Sequence, residues 1–167
     1  PSGVSPRLVP GATTHLVIAD SDEHTEDGHL TEDLEVRTRM VEKRLRKAAV
    51  LTEAAVPPEF IGDEEPDLLL ISWGSTRGAA LEAVAEMRDK GCPAAVLHFS
   101  QVWPLVPTLI EPWFKMGREV VAVEGNATGQ FAGLIRRETG LDVSRRIPRF
   151  DGLPLTPEYI LRRLDHG

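Results

Sequence analysis

Three stretches of this 167-residue chain carry side chains able to do chemistry. The first is the acidic run Asp22, Glu23, His24, Glu26, Asp27 and His29, whose carboxylates and imidazoles lie within eight positions and could ligate a metal. Its spacing matches no known site. Counted as a calcium loop from Asp20, the run puts Gly28 at a ligand position and Thr31 where a bidentate glutamate belongs, and His24 and His29 are not spaced as a helical His-Glu-x-x-His pair. A solvated or interdomain loop is therefore expected, with Glu23, His24, Glu26 and His29 as the alternative metal set. The other two stretches are Gly74-Ser75-Thr76 and, behind Glu124, the run Asn126, Thr128, Gly129 and Gln130. Both offer hydroxyls, amides and backbone N–H groups at the start of a helix, where an anion can be held. Neither contains a Walker lysine or a dinucleotide glycine pattern. Ser75 or Thr76 and Thr128 are expected to cap helices, with a ligand or domain contact as a second role.

No nucleophile emerges. Ser75 lacks the flanking glycine of a nucleophile elbow, Cys92 between Gly91 and Pro93 reads as an inert thiol, and His98 reads as a packed or interface histidine. No catalytic residue is expected.

The elements that must position these groups follow from periodicity. Residues 1–14 read as an irregular lead-in rich in Pro, Gly, Ser and Thr, and His15 to Ala19 as a short strand or edge. A helix is expected from Thr31 as N-cap to about residue 55, with Leu34, Val41, Leu45 and Ala48 on one face, ending before Val56-Pro57-Pro58. Beyond residue 66 the pattern turns regular. Asp67 to Ser72, Ala94 to Phe99 and Glu119 to Glu124 read as buried strands, each followed by a helical stretch. The second of those stretches, Val106 to Met116, contains Pro112, which should kink or divide it. Arg145 to Arg149 is expected as a last strand, and Thr156-Pro157 opens a final helix. Strand and helix alternate, so the fold class is α/β with a mostly parallel sheet between helical layers. The organisation is read as residues 1–65, an acidic lead-in with a linker helix at 31–55, and residues 66–167, the α/β domain.

Charge supports that division. Residues 1–66 hold 14 acids against 7 bases, while the rest is balanced at 12 and 12. A net charge of −7 argues against a nucleic-acid surface. No apolar run is long enough to cross a bilayer, and a cytoplasmic location is expected. A single cysteine permits no internal disulfide and no iron–sulfur cluster. The start without Met suggests a piece of something longer.

Taken in order, Glu23-His24-Thr25-Glu26-Asp27-Gly28-His29, Arg37 with Arg39-Met40 and Lys43-Arg44, Trp73-Gly74-Ser75-Thr76, Leu97-His98-Phe99, Val102 with Pro104, Glu124 with Asn126-Ala127-Thr128-Gly129-Gln130, and Asp151-Gly152 resemble the carboxyl-terminal region of 2-oxoacid:ferredoxin oxidoreductase alpha subunits. The resemblance implies a domain similar to the transketolase carboxyl-terminal domain, a three-layer α/β/α sandwich with five strands, one antiparallel, in the order 1-3-2-4-5. In that order the strand from residue 67 lies between the other two central strands. The loops after Trp73 and after Glu124 then meet in one crevice. The resemblance further implies a complete enzyme that uses thiamine diphosphate, magnesium and an iron–sulfur cluster, with a beta subunit, ferredoxin and CoA as partners. This segment would bind none of those cofactors, support assembly, and be inert alone. The alternative is a free-standing module that binds a small anion in the crevice at 73–78 and 125–130.

Overall fold

The computed structural model describes residues 2–17, 22–25 and 27–165. The chain divides into two compact units, Pro1–Ala54 and Ala55–Gly167.

The first unit holds α1, Leu34–Glu53. Its N-cap is Asp33, not Thr31. The Asp33 carboxylate accepts the amides of Glu35 and Val36 at 2.7 and 3.1 Å, while the Thr31 hydroxyl accepts only the Asp33 amide. A carboxylate at the positive end of the helix outcompetes a hydroxyl two residues earlier. No residue of α1 is buried; Leu34 and Leu45, expected on a packed face, are 79% and 67% exposed. His15 to Val17 are not in a strand, and Ile18 and Ala19 lie outside the described residues.

The second unit is a five-stranded sheet between helices. Its elements are β1 (Glu59–Gly62), β2 (Leu68–Trp73), a single 3₁₀ turn (Gly74–Thr76), α2 (Arg77–Asp89), β3 (Ala94–Phe99), α3 (Pro107–Phe114), β4 (Glu119–Glu124), α4 (Gln130–Thr139), β5 (Arg145–Pro148) and α5 (Pro157–Asp165). The strand order is β1-β3-β2-β4-β5. β1 pairs antiparallel with β3 and the remaining pairs are parallel. This is the mostly parallel α/β sandwich expected, with β2 flanked by β3 and β4. The unit begins earlier than residue 66, because β1 is bonded into the sheet along Glu59–His98 through Gly62–Ala95.

Side-chain alternation builds two cores. Leu68, Leu70, Val96, Val121 and Val123 pack under α2 and α5 with Ala80, Val84 and Ile160. Leu69, Ile71, Leu97, Val120 and Ala122 pack on the other face with Ile110, Phe131 and Ile135. Helices on both faces explain why these strands are apolar without interruption. α3 neither ends nor divides at Pro112, which sits within it; Pro107 occupies its first turn. α5 starts as expected, the Thr156 hydroxyl accepting the Tyr159 amide at 3.3 Å.

Candidate functional site

The turn from β4 into α4 is organised by Glu124 and Asn126. Glu124 is 1% exposed, and its two carboxylate oxygens accept the amides of Phe131 and Ala132 at 2.8 and 3.0 Å. The Asn126 side-chain carbonyl accepts three amides, from Thr128, Gly129 and Gln130, at 3.2, 2.8 and 3.1 Å, and its NH₂ donates to Glu124 at 2.8 Å. A buried carboxylate survives here because orphan helix amides and the positive end of the α4 dipole surround it. Thr128 is not the cap: the residue before α4 is Gly129, left-handed at φ 67°, and the Thr128 hydroxyl makes no capping bond. The chain must reverse at Gly129, and that reversal folds the amides back onto Asn126, two residues upstream of Thr128. Gln130 is the first residue of α4 and contributes its amide to the same carbonyl.

At the turn from β2 into α2, Ser75 and Thr76 again do not cap the α-helix. The buried Thr76 hydroxyl closes on Trp73, accepting its amide at 3.1 Å and donating to its carbonyl at 2.8 Å. Ser75 is exposed, and its hydroxyl forms no hydrogen bond among the described residues. Gly74 stands at φ 56° and frees the turn. Below it, the Ser72 hydroxyl lies 3.0 Å from Nδ1 of His98, across the β2–β3 register. His98 is 6% exposed; burial, then the nearby Arg77, pushes its pKa down, opposed by Glu59. Arg77 and Glu59 form their own ion pair at 2.9 Å. His98 is thus a packed histidine with a serine partner.

The two turns do meet. A cleft of about 680 Å³ at the carboxyl ends of β2 and β4 is lined by Ser75, Thr76 and Gly125. Asn126, Thr128 and Gln130 do not line it. The far wall is the segment from Arg149 to Leu155, of which the sequence reading singles out only Asp151-Gly152, as part of the resemblance, and gives it no place in the crevice. Arg149 has only 10% of its side chain exposed. Its Nε donates to Asp151 at 3.0 Å, its Nη1 to the Pro154 carbonyl at 2.6 Å, and its guanidinium lies 4.6 Å from the centre of the Tyr159 ring. Tyr159 donates its hydroxyl to the Pro148 carbonyl at 2.9 Å. The Arg149 amide donates to the Glu124 carbonyl at 2.9 Å, so this wall is tied to the end of β4. The one sequence signal for this wall is Asp151-Gly152, a turn pair two residues beyond an arginine.

The described part of the acidic loop is organised by hydrogen bonds and ion pairs. The Thr25 amide donates to the His29 carbonyl at 2.9 Å, Gly28 turns at φ 84°, and His24 bridges Leu30 antiparallel. Glu23 accepts two bonds from Arg44 at 3.0 and 2.8 Å, and these, more than Arg37, hold its carboxyl below the usual range. Asp27 accepts from the Thr25 hydroxyl and pairs with His29 at 2.8 Å, which lowers its pKa to about 2. Glu26 lies outside the described residues. Among the described residues no three His, Cys, Asp or Glu come together in a metal-binding group, so Glu23, His24 and His29 do not converge.

For thiamine diphosphate and magnesium, the test is the one fully buried carboxylate among the described residues. Glu124 is committed to helix amides and to Asn126, and among the described residues it belongs to no group of three or more His, Cys, Asp or Glu that could share a metal ion. The Glu124 carboxylate is therefore not free to hold that cofactor's magnesium.

The family model described as "Transketolase, C-terminal domain" matches residues 61–154. The alpha subunit of 2-oxoacid:ferredoxin oxidoreductase 2 from Aeropyrum pernix is 35% identical over 157 residues, covering 92% of this chain and 24% of that protein. The alpha subunit of 2-oxoacid:ferredoxin oxidoreductase 1 from Sulfurisphaera tokodaii is 32% identical, covering 91% and 24%. Among solved structures, 2-oxoglutarate:ferredoxin oxidoreductase from Magnetococcus marinus with 2-oxoglutarate, coenzyme A and succinyl-CoA bound matches with a TM-score of 0.72 and 28% identity, covering 99% of this chain and 29% of that one. This chain spans about a quarter of the length of the curated relatives it matches. With its 1-3-2-4-5 sheet and that ordered similarity, the chain belongs to the transketolase C-terminal domain family and corresponds to the carboxyl-terminal region of 2-oxoacid:ferredoxin oxidoreductase alpha subunits.

Proposed function

We propose that this chain works within a thiamine-diphosphate-dependent 2-oxoacid:ferredoxin oxidoreductase, which oxidatively decarboxylates a 2-oxoacid to an acyl-CoA and passes the electrons to ferredoxin. Its own part is structural: it helps assemble the remainder of the alpha subunit with the beta subunit, in the cytoplasm, and has no turnover alone. Thiamine diphosphate, magnesium and the iron–sulfur cluster are held by the rest of that enzyme, and ferredoxin and CoA are met through it.

The observation that carries this reading is the extent of the match. Similarity to the alpha subunits runs over more than nine-tenths of the chain and so includes α1 and the acidic loop, outside the residues matched by the family model. The site chemistry agrees, since the buried polar groups at the two turns are spent inside the fold, Thr76 on the Trp73 backbone and Glu124 on the first amides of α4. No helix among the described residues is long and apolar enough to cross a membrane.

The test is co-expression of a complete alpha subunit, with and without this segment, alongside its beta subunit. Deletion should abolish co-purification of the subunits and CoA-dependent ferredoxin reduction. The isolated chain should neither consume 2-oxoacids nor bind thiamine diphosphate. Micromolar binding of that cofactor by the isolated chain, or normal assembly without the segment, would overturn the assignment.

A further inference from the structure

We propose that the cleft at the carboxyl ends of β2 and β4 binds a small organic anion, with a phosphate or carboxylate head against Arg149 and Ser75 and an apolar body over Phe150 and Leu153. The site goes beyond the assembly role, and none of its features depends on that role.

Four observations converge on it. The space is large enough, at about 680 Å³, for a drug-sized ligand. Its cation is pre-organised: Arg149 is nine-tenths buried, held by Asp151, the Pro154 carbonyl and the Tyr159 ring, yet its second terminal nitrogen, Nη2, takes no partner among the described residues. Fixing the guanidinium in advance removes the ordering cost that makes flexible surface cations weak ligands. Across the cleft, the Ser75 hydroxyl is without a partner among the described residues, unlike that of Thr76, which is spent on Trp73. The mouth carries two large apolar side chains, Phe150 and Leu153, 69% and 62% exposed, on the same wall as the guanidinium. A charged head with an apolar body satisfies all of these groups at once; a bare inorganic ion would leave the apolar shelf wet. The position is also where an open parallel sheet forms a crevice, because β2 has β3 on one side and β4 on the other.

The geometry supplies a blocking variant that spares the fold. A Cβ built on Gly125 meets nothing within 4 Å, and the residue is not among those with positive φ, so Gly125→Leu fills the cleft without a backbone clash. Calorimetry and amide NMR of this chain with phenyl phosphate and with benzoate form the two arms that distinguish a phosphate from a carboxylate head. Inorganic phosphate is the control for the apolar shelf. Saturable binding of one arm is expected, with shifts at Ser75, Gly125 and Leu155. Gly125→Leu should abolish it, and Ser75→Ala should weaken it by about tenfold, the scale of a hydrogen bond to a charged group. Phe150→Ala should weaken the aromatic ligands and leave the response to inorganic phosphate unchanged. Absence of saturable binding in both arms, shifts confined to the cationic helix around Lys43 and Lys47, or affinity unchanged in Gly125→Leu would each overturn the proposal. None of these outcomes bears on subunit assembly, so the two readings fail separately.

Discussion

Asn126 satisfies three amides through one oxygen, and its removal strands them in a part-buried turn beside Glu124. Asn126→Ala should therefore cost about 2 to 3 kcal/mol, above the usual ~1 kcal/mol of a single cap. Thr128→Ala should stay within about 0.5 kcal/mol of wild type. Urea unfolding of both variants is the check, and the opposite ranking would return the cap to Thr128. His98 gives a prediction in pH. Its folded-state pKa lies below the ordinary 6.5, so the unfolded chain binds a proton more readily there, and stability falls as pH drops below 6.5 toward the folded value. The groups around it are Ser72 on β2, Glu59 on β1 and Arg77 on α2, and Glu59 moderates the effect. His98→Gln should flatten that part of the stability–pH curve, and an unchanged slope would assign the pH dependence to other groups. What the sequence showed of this site was its location but not its wiring. Glu124, Asn126 and the Gly74-Ser75-Thr76 turn stand out by type. Which oxygen caps which amide depends on the left-handed turn at Gly129, and Arg149 becomes buried only because α5 returns Tyr159 beneath it.

At the level of elements, the central strands were legible because both faces are covered. A run such as Leu68-Leu69-Leu70-Ile71 admits little else than a buried strand. β1 was not legible. It is four residues long, starts with Glu59, ends with Gly62, and lies between prolines at 58 and 66 that signal a turn. Only its pairing with β3 makes it a strand. Gly62 shows how tight that pairing is: at φ 139°, an added Cβ would sit 2.5 Å from the Ala94 carbonyl oxygen and from the Ala95 Cα. Because both are backbone atoms, Gly62→Ala should destabilise by about 1 to 3 kcal/mol, read as a lower urea midpoint. A neutral Gly62→Ala would mean that β1 detaches at little cost. The start of α1 was misread by two residues because Thr31 and Asp33 are both good caps, and the choice falls to the carboxylate.

Across the whole molecule, stability is unevenly held. α1 runs for 20 residues without burying one, whereas the sheet buries β2, β3 and most of β4. A helix whose best-covered residues, such as Val36 and Met40, are only half-buried draws little from tertiary contacts. Residues 1–54 alone should show little helix by far-UV circular dichroism, and residues 55–167 should unfold cooperatively. In the intact chain, hydrogen exchange should be fast along α1 and slow in β2, β3 and β4. Equal protection of α1 and the strands would refute this unequal distribution.

The position of β1 also shapes how the chain is made. It is synthesised before β2, yet its partner is β3, so Glu59 must wait for His98, nearly forty residues later. At a ribosomal rate of about 5 to 20 residues per second, an unpaired strand is left open for roughly 2 to 8 s. During that interval it is guarded by Glu59 within it and by Asp63, Glu64 and Glu65 directly after it, a dense negative charge that keeps nascent copies apart. Negative charge flanking an open strand disfavours its pairing with a second copy until β3 arrives.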